Sequence, residues 1–159
     1  MILLTKSFED YFSELQADMV SVCLECVDHK AEDIYLYCSY EPETYYFNVF
    51  YRINKTFVLK HKVNDAVRLV NGTQEYNYDV SRDRQLGLLN ICIEDLKKIH
   101  EVCNAFNREM PTEMKLHYNV EKNSLVANYK YELVYSNDDE LLPDDLFEQW
   151  FEEISKSQA

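Results

Sequence analysis

Apolar positions change their spacing several times along this chain, and each change marks an element. Phe8, Tyr11, Phe12, Leu15 and Met19 recur at threes and fours, the period of one face of an α-helix. Ser7 stands just before them and Asp10 three residues later, an acidic form of the capping box. From Val20 the period shortens to two. Val20, Val22, Leu24 and Cys26 alternate with Ser21, Cys23, Glu25 and Val27, which predicts a strand over 20–27. Alternation continues in "IYLYCSY" (34–40), "YYFNVFYRI" (45–53) and "TFVLKH" (56–61), separated by the short connections "DHKAED", "EPET" and "NK". Connections this short join antiparallel neighbours.

Residues 62–82 carry weak periodicity. Asn71-Gly72 is a type I′ hairpin signal, so this stretch is a small hairpin or a structured loop. The helical period then returns strongly over 83–109, where Leu89, Ile93, Leu96, Ile99, Cys103 and Phe106 share one side. Pro111 ends it. "EMKLHYNV" and "SLVANYKYELVY" alternate around the turn "EKNS" and predict a second hairpin. A last helix begins at Pro143, with Asp144 and Asp145 at its positive dipole end and Leu146, Phe147, Trp150, Phe151 and Ile154 as its apolar stripe. The predicted order is α-ββββ-α-ββ-α: an α+β fold, an antiparallel sheet of about six strands with helices packed on it, forming one domain over 1–159.

Apolar residues make up 47% of the chain, too many for a disordered one. The formal net charge of −13 argues against nucleic acid as a direct ligand, since phosphate binding needs clustered Lys and Arg. It argues equally against an anionic membrane surface, and it favours a basic protein partner. Solubility alone is the plainer reason for such a charge. "MILL" is interrupted by Lys6, Glu9 and Asp10, short of a leader's apolar core. Five cysteines without secretory context predict reduced cytoplasmic thiols.

Readable catalytic chemistry is scarce. "CLEC" spells C-x-x-C, but on a strand Cys23 and Cys26 point to opposite faces, and no second pair follows. The histidines 29, 61, 100 and 117 are scattered, and His100 reads as a boundary residue of the long helix. With Gly72 and Gly87 as the only glycines, a backbone cradle for phosphate has no material. "NDDELLPDD" lacks the ligand spacing and glycine of an EF-hand. The expectation is a protein without catalytic activity, metal or cofactor.

Two features call for a partner. Between Tyr131 and Glu153 lie nine acidic residues and no Lys or Arg, around the only tryptophan. Helix capping accounts for acids in one turn, not across the whole segment. Asp138, Asp139, Glu140, Asp144, Asp145, Glu148 and Glu152 are therefore candidate partner contacts; a solvated acidic helix is the plainer alternative. The other feature is tyrosine. Tyr35, Tyr37 and Tyr46 lie on the strand faces opposite the aliphatic ones and suit an interface, because tyrosine joins a large apolar body to a polar tip. A half-exposed outer sheet face would explain them as well.

The sequence also carries a family pattern: a Tyr- and Phe-rich meander ("IYLYCSY", "YYFNVFYRI"), the helix over 89–106, then "PTEMKLHYNVEKNSLVANYKYEL" with Tyr129-Lys130-Tyr131-Glu132, then an acidic segment with a Trp. This resembles the YezG-like immunity family of bacterial polymorphic toxin systems, over most of the chain except about residues 61–82. The resemblance implies a non-enzymatic cytoplasmic protein that binds and neutralises a cognate toxin, typically a nuclease, with no homo-oligomer required. Charge gives an independent reason, since a nuclease must present a basic surface to its substrate. The competing reading is a small acidic secretion chaperone, homodimeric through a helix and binding an extended client segment.

Overall fold

The computed structural model describes residues 5–158; residues 1–4, on which the leader reading rests, lie outside them. Helix α1 (Phe8–Cys26) starts as predicted. The Ser7 hydroxyl accepts from Asp10 N–H at 3.2 Å, and Ser7 N–H donates to the Asp10 carboxylate at 3.3 Å. It does not stop at Met19. The strand predicted over 20–27 is the second half of this helix, and its buried residues Gln16, Met19, Val20 and Cys23 keep the helical period. The helix ends where Asp28 and His29 take positive φ (52° and 61°), with His29 N–H donating back to Leu24 C=O.

Strands β1 (Asp33–Tyr40), β2 (Tyr45–Ile53) and β3 (Thr56–Leu59) form the meander. Asn54 and Lys55 both have positive φ, as a two-residue hairpin requires, and the Glu32 carboxylate accepts both their N–H groups at 2.8 and 2.7 Å. A 3-10 segment (Lys60–Ala66) replaces the end of the predicted strand over 56–61. The Asn71-Gly72 turn joins the short strands β4 (Leu69–Val70) and β5 (Thr73–Gln74). Helix α2 (Arg82–Ala105), strands β6 (Glu113–Asn119) and β7 (Ser124–Lys130), and helix α3 (Pro143–Ser157) complete the chain. The last predicted strand thus ends at Lys130 rather than at Tyr135. The fold is α+β, with a five-stranded antiparallel sheet in the order β3-β2-β1-β6-β7 and a separate two-stranded one.

Strand alternation divides this sheet into two faces. Ile34, Leu36 and Cys38 of β1, Phe47, Val49, Tyr51 and Ile53 of β2, and Met114 and Leu116 of β6 meet the buried sides of α1 and α2 in the main core. Register stacks them in rows: Leu36 lies between Val49 and Leu116. The opposite face carries Tyr35, Tyr37 and Phe50, and α3 covers it. The molecule therefore has three layers, two helices on one side and one on the other. No described helix is long and apolar enough to cross a membrane.

Candidate interaction surface

The second face is where the tyrosine surplus and the acidic segment meet. Trp150 and Phe147 are buried against Tyr35, Tyr37 and Phe50, with Leu146, Phe151 and Ile154 packed around them. The Trp150 ring lies 5.2 Å from Phe50, 5.8 Å from Tyr35 and 6.2 Å from Tyr37, centroid to centroid, in edge or tilted contacts, the arrangements aromatic quadrupoles favour. The Lys115 ammonium sits 5.6 Å from its ring centre, a cation–π contact. Tyr35 is stacked between Phe50 at 4.6 Å and His117 at 4.3 Å.

This placement corrects one reading of the tyrosines. Tyr35 and Tyr37 are 1% and 0% exposed, so with α3 in place they offer no contact surface. They form the seat of the helix instead. Tyr37 donates its hydroxyl to the buried Glu113 carboxylate at 2.5 Å. Half-buried Tyr46 donates to Asp144 at the first turn of α3. Burial raises the phenol of Tyr35 to about 12, with the Asp33 charge adding to it. It raises Tyr37 further, with Glu113 adding to the effect.

The link from β7 to α3 is fixed by one residue that sequence reasoning passed over. Glu41, buried at the β1–β2 turn, accepts the N–H groups of Val134, Tyr135 and Ser136 and the Ser136 hydroxyl, at 2.6 to 3.2 Å. Burial alone would push its carboxyl up; the Ser136 hydroxyl and the three backbone donors outweigh that and hold it below the ordinary glutamate range. Asp33 was missed as well. Buried at the far end of the same face, it accepts from His117 at 2.8 Å, Asn119 at 3.2 Å and Arg52 at 3.5 Å. Strand alternation would have placed both carboxylates among apolar residues, the one signal available for them.

The seven candidate acids all remain exposed, and they divide by task. Asp138 accepts Glu140 and Leu141 N–H at 2.8 and 3.2 Å and shapes the turn into α3. Asp145 accepts Leu142 N–H at 2.9 Å and caps the helix. Asp144 is held by Tyr46. Glu152 lies 3.9 Å from Lys156, both largely exposed. Asp139, Glu140 and Glu148 take part in no ion pair among the described residues. Leu142, 63% exposed at the N-cap position, sits among these acids, and sequence reasoning did not single it out.

Most of the cysteines are buried. Cys23 and Cys26 share one side of a helix rather than opposite faces of a strand. Cys23, Cys38, Cys92 and Cys103 are buried, and burial raises the Cys23 and Cys38 thiols well above their ordinary value, which keeps them protonated. His100 is a boundary residue hydrogen-bonded to the Tyr45 hydroxyl at 2.6 Å. Among the described residues no group of three or more His, Cys, Asp or Glu is arranged to hold a metal ion. Compared with known proteins, the chain matches no family model, and no curated protein matches it closely enough to count as a relative.

Proposed function

We propose that this protein is an immunity protein, a cytoplasmic inhibitor that binds a basic bacterial toxin domain, a nuclease, through the outer face of α3 and the turn before it. One observation carries the reading: a dense set of exposed carboxylates rides on a helix whose opposite side is locked into the sheet by Phe147 and Trp150. Like charges held together repel and weaken the isolated fold, so a partner that neutralises them supplies a reason to keep them. The fixed helix presents them as one rigid array, and a nuclease must expose cationic surface to grip phosphate. Occupying that surface requires no chemistry from the inhibitor.

The test uses the product of the neighbouring reading frame, which on this reading carries a basic nuclease domain. Mixed with the purified protein, it should form a stable complex and lose its nuclease activity at equimolar ratio. Cleavage that continues at full rate in excess of this protein would refute the assignment.

A further inference from the structure

A strand bonded on one side only leaves alternate N–H and C=O groups unpaired along the other. β7 is such a strand, since among the described residues its only neighbour in the sheet is β6. The register identifies the free groups. Tyr40 donates its N–H to Thr112 C=O and Val120 donates to Glu32 C=O, both at 2.9 Å, so the even-numbered residues of β6 bond to β1. The odd-numbered ones bond to β7, and their partners there are Ser124, Val126, Asn128 and Lys130. Leu125, Ala127 and Tyr129 therefore turn their backbone groups outward.

We infer that a second copy of this chain pairs on this edge, antiparallel, about a two-fold axis through Ala127. That register is self-complementary. Leu125 falls opposite Tyr129, Val126 opposite Asn128 and Ser124 opposite Lys130, and each of the three outward residues donates and accepts once. Aliphatic–aromatic cross-strand pairs of the Leu125–Tyr129 kind stabilise antiparallel sheets. Just beyond the paired residues, Lys122 of one copy falls beside Glu132 of the other.

The edge lacks the protection that solitary edges carry. Natural edge strands are short, charged, bulged or interrupted by proline. β3, at the other side of the sheet, is four residues long and runs into the 3-10 segment. β7 has seven residues, and Lys130 is its single charge. Val126 is 55% exposed on it, and Leu125 and Tyr129 are exposed too.

Charge favours the same geometry. With −13 per chain, two copies meet most easily where carboxylates are fewest, and α3 with its acids packs over β1 and β2, away from β7. On the other face, Ala17, Val20, Ser21, Leu24, Tyr118 and Leu125 line a groove of about 380 Å³ between α1 and the β6–β7 turn. The product is a continuous ten-stranded sheet with both acidic helices free.

Sedimentation velocity on the full chain over a concentration series tests this. The expected species is a discrete dimer. Ala127→Pro removes an outward N–H and no bond to β6, and it should give a folded monomer. Val126→Glu with Asn128→Glu sets carboxylates directly opposite one another and should do the same, using exposed side chains that leave the core intact. Mixing that variant with Val126→Lys/Asn128→Lys should restore a dimer. Three results overturn the inference: a wild-type monomer throughout the series, a dimer that survives both kinds of variant, or an open ladder of larger species.

Discussion

Glu41 shows how much one buried side chain can organise. Its carboxylate satisfies three backbone N–H groups at once, and an unsatisfied buried donor costs about 1–3 kcal/mol. Glu41→Ala should therefore destabilise the protein by roughly 2–4 kcal/mol in denaturant titrations, with Trp150 fluorescence shifting red as the link to α3 loosens. Because its folded pKa is lowered, its contribution is present above the ordinary glutamate range and fades as pH falls through the lowered value. Asp95 behaves oppositely. Buried on α2 and hydrogen-bonded to Asp18 of α1, with Glu94 and Lys98 nearby, its carboxyl rises from 3.8 to about 7, mainly through burial and then through Asp18. The stability that this protonated pair gives is complete below the unfolded value and is lost as pH rises through about 7. Asp95→Asn should stabilise the protein at pH 8 by roughly 1–2 kcal/mol, once solvent screening at exposed Asp18 is allowed for, with a raised Tm as the readout, and do little at acid pH; an equal effect at both would remove the pair as cause. Neither residue was legible in the sequence. Each is one acid among 29, and its role exists only once α1 meets α2, or the β1–β2 turn meets residues 134–136.

Elements were legible where period and punctuation agreed. Ser7 with Asp10, Asn71-Gly72 and Pro143 each marked a boundary that the fold keeps. The stretch over 20–27 misled because Val20, Val22, Leu24 and Cys26 happen to alternate with Ser21, Cys23 and Glu25, while Met19, Val20 and Cys23 also satisfy the helical period. Packing of α1 against α2 decided between the two periods, as tertiary context overrides local propensity. The α3 stripe was read correctly as inward-facing, and its partner face was not: Tyr35 and Tyr37 looked like outer-face residues because nothing local shows that a helix a hundred residues later will cover them. Trp150→Ala should cost about 3–5 kcal/mol, the range for emptying a buried aromatic site, seen as a lowered urea midpoint. Glu148→Lys with Glu152→Lys relieves part of the like-charge repulsion, so it should leave Tm unlowered while it slows association with the basic toxin domain. A Trp150 variant that melts like wild type would mean that the helix is not held by its aromatic seat.

Across the whole molecule, net charge and layer order set the behaviour. A chain at −13 repels itself, and screening relieves surface repulsion within a Debye length. Thermal scans of the isolated protein should therefore show Tm rising between low and moderate salt; a flat profile would mean that the acids are too dispersed to strain the fold. The α+β class and its antiparallel sheet were readable from alternation and short connections. The division into two unequal faces was not, because it depends on α3 crossing to the side that α1 and α2 leave open. That crossing bears on biosynthesis. α3 follows every strand in chain order, so while residues 131–157 are still being added the β1–β2–β3 meander can already be paired outside the ribosome with Tyr35, Tyr37 and Phe50 bare. A nascent chain stalled before Pro143 should display that patch, bind hydrophobic dyes and recruit holdases, and release both as the last helix emerges and closes it.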